Sequence, residues 1–214
     1  MKIASRRLTT LGTCCLLAAF VWTIPVPGLF AAPPESSGAS RQADSQVFDD
    51  VRGGKYQLPE SPDVKAVVLI FFGHECPISN RYAPEIGRLQ KEYSPRGIEL
   101  CVVYADPDLD RDDARQHAQD YGFDFPAILD PTLSLAKGAG ATVKPEAAVL
   151  SQQGELLYRG RIDNLYADFG KRRSSPTQRD LREALDAILA GKPVAAPRTK
   201  AIGCDIDFSS LTKK

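Results

Sequence analysis

The stretch Phe71-Phe72-Gly73-His74-Glu75-Cys76-Pro77-Ile78-Ser79-Asn80 places a cysteine, a histidine, a glutamate and a serine side by side. An apolar run ends there, a short turn follows, and Cys76 stands where a helix should begin. A helix N-terminus offers free N–H groups and about half a positive charge, which favours a thiolate over a thiol. The expected thiol pKa therefore lies below the ~8.5 of a free cysteine. Pro77 suits the first helical position, where a missing N–H costs nothing. Ser79 is expected to turn its hydroxyl back towards the sulfur. Glu75 opposes thiolate formation, and the helix terminus is expected to outweigh it. The bland alternative is a structural cysteine packed as a small hydrophobe. Its place after the strand, rather than within it, argues for a reactive thiol.

Other groups fit packing or capping better than chemistry. Cys101 lies in Leu100-Cys101-Val102-Val103, an apolar run, and reads as a buried small residue. His74 and Cys76 form a His-X-Cys pair that could bind Cu(I), but with two histidines in the chain a full ligand set is hard to assemble. No metal site and no cofactor are expected. His117 falls beside Ala114, Ala118 and Tyr121 and reads as a packing residue. Asp106, Asp108, Asp110, Asp112 and Asp113 lack the glycine and closing glutamate of a calcium loop and read as an acidic helix start. Lys171-Arg172-Arg173 reads as a solvated loop, with docking of an acidic partner as the alternative.

The elements that must position Cys76 are legible in outline. Val47–Val51 and Lys55–Leu58 flank Gly53-Gly54 as a hairpin. Ala66–Phe72 and Ile98–Tyr104 are continuous apolar runs suited to strands buried on both faces. Between them, Ile78, Tyr82, Ile86, Leu89 and Tyr93 form one stripe of a helix over Pro77–Tyr93, with Pro84 expected to kink it. Asp110–Tyr121 reads as a helix, Pro126–Leu129 as a strand and Thr132–Lys137 as a short helix. Ala147–Leu150 and Glu155–Tyr158 flank a Gln152-Gln153-Gly154 turn. A last helix carries Leu181, Ala184, Leu185, Ile188 and Leu189 on one face. Ser175, Pro176 and Gln178 are expected to cap it, and Gly191 to stop it. Strands alternating with helices and ending in a hairpin give one α/β domain with a mixed sheet flanked by helices on both faces.

The N-terminus has the pattern of a secretory signal peptide. Lys2, Arg6 and Arg7 precede an apolar run from Leu11 to Ile24, and Leu29-Phe30-Ala31-Ala32 supplies small residues for cleavage after Ala31. An uncleaved membrane anchor is the alternative, although the run is short for a bilayer span. The expected organisation is a signal peptide over 1–31, a flexible linker over 32–45, a domain over 46–193 and a tail over 194–214 carrying Cys204. The full chain balances 27 basic against 27 acidic residues. Losing the leader leaves 24 basic against 27 acidic, so no basic excess draws the chain to nucleic acid. Three cysteines remain, Cys76, Cys101 and Cys204, an odd number for an exported chain in an oxidising space. Secretion or a periplasmic location is expected, without stable membrane insertion once the leader is cut.

Strand, Cys-Pro-Ile-Ser, proline-bearing helix, second strand and a later Val-Lys-Pro before a hairpin resemble the thioredoxin-like fold. More closely, the chain resembles secreted bacterial redoxins of the alkyl hydroperoxide reductase/thiol-specific antioxidant type, over roughly Val47 to Pro193. The resemblance implies that Cys76 is the nucleophile. It also implies that Pro145 is a cis proline beside the sulfur, and that the Lys144 backbone pairs with an extended substrate. Three departures matter. Ser79 replaces the second cysteine of a Cys-X-X-Cys motif. Glu75 replaces the usual tryptophan. Leu69 and Gly73 stand where a peroxidatic Pro-X-X-X-Thr/Ser-X-X-Cys frame needs proline and a hydroxyl.

The resemblance implies a thiol–disulfide oxidoreductase acting on a protein or small-molecule disulfide or thiol through a mixed disulfide. A thiol peroxidase and a non-catalytic Cu(I)- or partner-binding module are the alternatives. Without a second motif cysteine, oxidised Cys76 needs another partner. Cys204, in Ile202-Gly203-Cys204-Asp205-Ile206, is open to three readings: a resolving thiol, an inert tail thiol, or a link between chains. Cys101 should be locked in the sheet, and the tail after Pro193 and Pro197 is long enough to curl back. A Cys76–Cys204 disulfide is therefore expected under mild oxidation.

Overall fold

A computed structural model describes residues 47–58 and 63–209. The expected leader and linker lie outside the described residues, as does the end of the tail from 210 onward.

The sheet is built from two long apolar strands, β3 (Ala66–Phe72) and β4 (Ile98–Tyr104), which run parallel with Ala66 opposite Ile98 and Phe72 opposite Tyr104. Every residue of β3 is buried, because both of its faces are covered. Val68, Ile70 and Phe72 face a cluster with Ile78, Tyr82 and Ile86 of α1 (Pro77–Tyr93) and Leu181 and Leu185 of the last helix. Val67, Leu69 and Phe71 join a second cluster with Leu135, Ala136 and Ala139. Helices thus flank both faces, as expected.

The remaining strands fill out a seven-stranded mixed sheet. β1 (Val47–Asp50) and β2 (Lys55–Gln57) form the expected hairpin at one edge. β5 (Ala127–Leu129) lies between β1 and β4, antiparallel to the first and parallel to the second. On the other side β7 (Glu146–Ser151) pairs antiparallel with β3, and β8 (Leu156–Gly160) with β7. The spatial order is β2-β1-β5-β4-β3-β7-β8. Between β4 and β5 runs α2 (Arg111–Asp120), whose N-cap Asp110 accepts from the Asp112 amide at 2.7 Å. After β5 comes α3 (Ser134–Ala139), whose first turn donates to the buried carboxylate of Asp130.

Two places depart from the expectations. The last helix, α4 (Asp180–Leu189), starts later than Ser175 and Pro176 suggest, and the side chain of its N-cap Arg179 makes no hydrogen bond that caps it. The amides of Thr177 and Gln178 donate instead to the buried Asn164 side chain, at 2.8 and 3.0 Å. A tertiary acceptor thus replaces the local cap. Gly191 does follow the helix in the left-handed region, at φ +66°.

The basic run is not a bare loop. Lys171–Arg172 forms β10, paired with β9 (Tyr166–Asp168) in an exposed hairpin, and Arg173 donates to the Asn164 carbonyl at 3.1 Å.

The tail curls back over the domain. It follows β8, with the Arg159 amide donating to Pro197 O (2.9 Å) and the Thr199 amide to Arg159 O (3.0 Å). Tyr158 Oη lies 2.7 Å from Thr199 Oγ1. It then forms β11 (Cys204–Asp205), antiparallel to β6 (Val143–Lys144).

Candidate active site

Cys76 is the N-cap of α1, in extended backbone (φ −80°, ψ 114°), with no side-chain cap on the helix. Its amide donates to Gly73 O at 3.1 Å, closing the turn that carries the chain from β3 into the helix. Space is tight at Gly73. A Cβ on it would sit 3.0 Å from Cys76 Cβ and 3.4 Å from the Lys144 side chain. The Lys144 Nζ donates to Ala105 O at 3.3 Å, so its stem lies across this turn.

The Lys144–Pro145 peptide is cis, as the resemblance implies, and the Lys144 carbonyl oxygen lies 3.3 Å from Cys76 Sγ. Cys76 and Cys204 form a disulfide across 128 residues, with Cα atoms 6.2 Å apart. Cys101 takes no part in it and is fully buried within β4. Of the three readings left open for Cys204, the intramolecular partner is the one present.

Ser79 departs from the expectation. It is fully buried, and its Oγ accepts from the Gly73 amide at 3.3 Å. The hydroxyl is engaged in tying the first turn of α1 to the end of β3 rather than in facing the sulfur. Pro77 occupies the first turn as expected and is exposed. The Glu75 side chain is 88% exposed, so water screens its opposition to a thiolate.

A polar chain behind the turn was not foreseen. Asn80 Nδ2 donates to His74 O (2.9 Å), His117 Nε2 lies 3.0 Å from Asn80 Oδ1, and Tyr104 Oη lies 2.8 Å from His117 Nδ1. An amide oxygen only accepts, so Nε2 carries the proton and Nδ1 accepts from Tyr104. Burial pushes His117 down to about 4, with the neighbouring His74 adding to the effect. The imidazole is therefore neutral at pH 7. Burial likewise raises the Tyr104 hydroxyl above its ordinary range. His117 thus does more than pack: it ties α2 to the turn before Cys76. The apolar neighbours Ala114 and Ala118 masked this role, since the partners Asn80 and Tyr104 come from distant segments.

His74 leans on carboxylates, with Nδ1 3.7 Å from Asp106 and Nε2 3.9 Å from Glu75. Among the described residues no group of three His, Cys, Asp or Glu side chains is placed to hold a metal ion.

Away from the sulfurs, Glu85 is a buried carboxylate that the sequence reading also missed. Arg88 Nε (2.7 Å) reaches it from within α1, and Arg182 Nε (2.9 Å) and Arg179 (3.5 Å) tie it to α4. Burial works against the Arg182 charge, but hydrogen bonds to Glu92 and Glu85 hold its pKa above the ordinary value. An acid placed after Pro84 on the buried side of an amphipathic helix, with arginines on another helix, was the available signal.

With this geometry established, similarity to known proteins can be placed on it. The profile of the Redoxin family matches residues 38–168, a span that includes Cys76 and Pro145 and ends well before Cys204. The thiol-disulfide oxidoreductase ResA of Halalkalibacterium halodurans is 30% identical over 129 residues, covering 60% of this chain and 71% of that protein. A hypothetical protein from Sinorhizobium meliloti 1021 superposes with a TM-score of 0.67 at 25% identity, over 75% of this chain and 89% of that one. A Chlorobium tepidum protein assigned to the thiol:disulfide interchange proteins DsbE shares the fold. Its TM-score is 0.52 at 18% identity, over 67% of this chain and 92% of that one. The fold is thioredoxin-like, and the chain belongs to the Redoxin family.

Proposed function

We propose that this chain is an exported thiol–disulfide oxidoreductase in which Cys76 is the nucleophile and Cys204 the resolving thiol. The observation that carries the reading is the Cys76–Cys204 disulfide at the N-terminus of α1, bridging 128 residues of sequence. In the dithiol state, the Cys76 thiolate attacks one sulfur of a substrate disulfide and expels the other as a thiolate. The Cys204 thiolate then attacks Cys76 Sγ, releasing the second substrate thiol and leaving the protein disulfide. An external dithiol restores the starting state.

The neighbouring residues divide the work. Pro77 presets the first turn of α1, whose free amides stabilise the sulfur anion. Ser79 holds that turn to β3. The Lys144 backbone and cis Pro145 present an edge beside the sulfur on which a substrate backbone can pair. A peroxidase role is disfavoured because Gly73 occupies the position where a peroxidatic frame needs a hydroxyl, and a side chain there would crowd Cys76 and Lys144. Export is supported by the leader pattern of residues 1–31, with a linker over 32–45, the catalytic domain over 46–193 and the resolving segment over 194–214. Among the described residues no helix is long and apolar enough to cross a membrane. The substrates are protein or small-molecule disulfides.

Trapping tests this directly. Purified Cys204→Ser protein, incubated with envelope extract, should accumulate mixed disulfides that map to Cys76. Their absence, with the same background from Cys76→Ser protein, would remove the reading.

A further inference from the structure

β11 lies on the edge that an incoming polypeptide needs. Cys204 pairs antiparallel with Lys144, the residue before cis Pro145, and Asp205 pairs with Val143. Gly203 passes so close that a Cβ on it would overlap the Lys144 carbonyl and lie 3.0 Å from Pro145 N. Gly203 is not among the glycines with positive φ, so space rather than backbone conformation demands it. Two residues past the cysteine, Ile206 is 5% exposed and joins the apolar cluster that holds Phe71, Leu135 and Ala139. Its amide donates to Thr142 O at 2.9 Å.

Three features thus recognise this short strand: a backbone edge, a contact that only glycine fits, and an apolar seat for an aliphatic side chain. The edge has room for one strand. We propose that Gly203-Cys204-Asp205-Ile206 is an internal copy of the substrate. The external substrate is a disulfide-bearing polypeptide with glycine immediately before its reactive cysteine and an aliphatic residue two positions after it. It takes the tail's place on Val143–Lys144. This rests on Cys76 being the nucleophile, as proposed above, and adds what the groove selects.

Exclusive occupancy orders the cycle. With the tail off the edge, the Cys76 thiolate attacks the substrate cysteine. The Cys76–substrate bond forms, the substrate disulfide breaks, and the expelled thiolate takes a proton from water. The substrate strand, still tethered by its sulfur, must then leave the edge before β11 can form again. The returning Cys204, having lost its proton to water, attacks Cys76 Sγ and expels the second substrate thiolate, which is protonated in turn. Two electrons pass from the protein dithiol to the substrate disulfide, and an external dithiol reductant returns them. The lifetime of the mixed disulfide is set by the exchange of strands.

Two synthetic decapeptides test the selection. One copies Thr199–Phe208 with its cysteine activated as a 2-thiopyridyl disulfide; the other carries valine in place of the glycine. Each is mixed with the reduced full-length chain and release of thiopyridone is timed, with glutathione as the reference thiol for intrinsic peptide reactivity. The glycine peptide should react at least about ten-fold faster than its valine twin, since overpacking a close contact is costly. Glutathione should not distinguish them. In the full-length Gly203→Val chain, where the tail no longer fits the edge, both peptides should react faster, the preference should persist, and the mixed disulfide should accumulate. Equal rates with the two peptides on the unaltered chain would overturn the selection and leave Cys76 a nucleophile. Failure of either peptide, and of a small dithiodipyridine, to react at Cys76 would overturn the underlying reading instead.

Discussion

The two bonded cysteines are held in opposite ways. Cys76 sits at the junction of β3, which is buried along its length, and α1, whose inner face is buried, and its turn is fixed by Gly73, Ser79 and the Asn80–His117–Tyr104 chain. Cys204 is half-buried on a two-residue strand, held by one amide bond from Ile206 and the burial of Ile206, with the tail before it tied to β8 at Pro197 and Thr199. Regions with few buried contacts and edge hydrogen bonds open at low free energy. The contrast suits a cycle in which one sulfur must stay in place while the other must come and go.

The largest effect expected separates the sulfurs by step. Cys76→Ser should abolish disulfide exchange. Cys204→Ser should keep the first attack near the unaltered rate and lose multiple turnover, leaving the mixed disulfide to an added thiol. Burst and steady-state phases of a chromogenic disulfide assay distinguish the two, and equal loss of both phases in Cys204→Ser would erase the difference.

Next in size is stability. Reducing the disulfide frees a loop closed across 128 residues, so the oxidised protein should exceed the reduced one by about 2–4 kcal/mol in urea unfolding. Local loosening should fall on the tail: hydrogen exchange should rise at Ile206 and Thr199 on reduction, and barely change at Leu69 or Val102.

A smaller effect sharpens the account of the rigid side. His117 titrates at about 4 in the fold against about 6.5 when unfolded. Between those values the unfolded state binds more protons, so stability rises with pH through the window and is lost as pH falls through it. The slope should total about 1–2 kcal/mol, allowing for partial exposure of the ring. His117→Gln should remove it, and unfolding curves from pH 4 to 7 measure both.

The smallest effect concerns Ser79. Bonded to the Gly73 amide rather than aimed at the sulfur, it should cost about 1 kcal/mol of stability as Ser79→Ala. The pH profile of Cys76 alkylation should stay close to that of the unaltered chain and lie below the ~8.5 of a free thiol. A clear rise on substitution would return the hydroxyl to the sulfur.

The same contrast explains what was legible in the sequence. β3, α1 and β4 carry long apolar patterns set by their own residues, and Pro77–Tyr93 and Ile98–Tyr104 have the expected bounds. The position of Cys76 at a helix start follows from that local pattern. The start of α4 was misread because Asn164, distant in sequence, accepts the amides that a local Ser175 cap would have taken. The Asn80–His117–Tyr104 chain was missed for the same reason. β6 and β11 have two residues each and no periodicity of their own. The cis peptide of Pro145 came from resemblance alone, whereas the Cys76–Cys204 pairing rested on resemblance to secreted redoxins together with the question of which thiol could leave its place.

The most direct test of the central claim is a redox titration of the full-length chain in glutathione buffers, quenched by alkylation and read by non-reducing peptide mapping. The account predicts that Cys76 and Cys204 change state together in one two-electron transition to a single linked peptide pair, with Cys101 alkylated only after denaturation. Cys76 found as a glutathione adduct, a sulfenic acid or a cross-chain dimer, with Cys204 alkylated in the same samples, would contradict it.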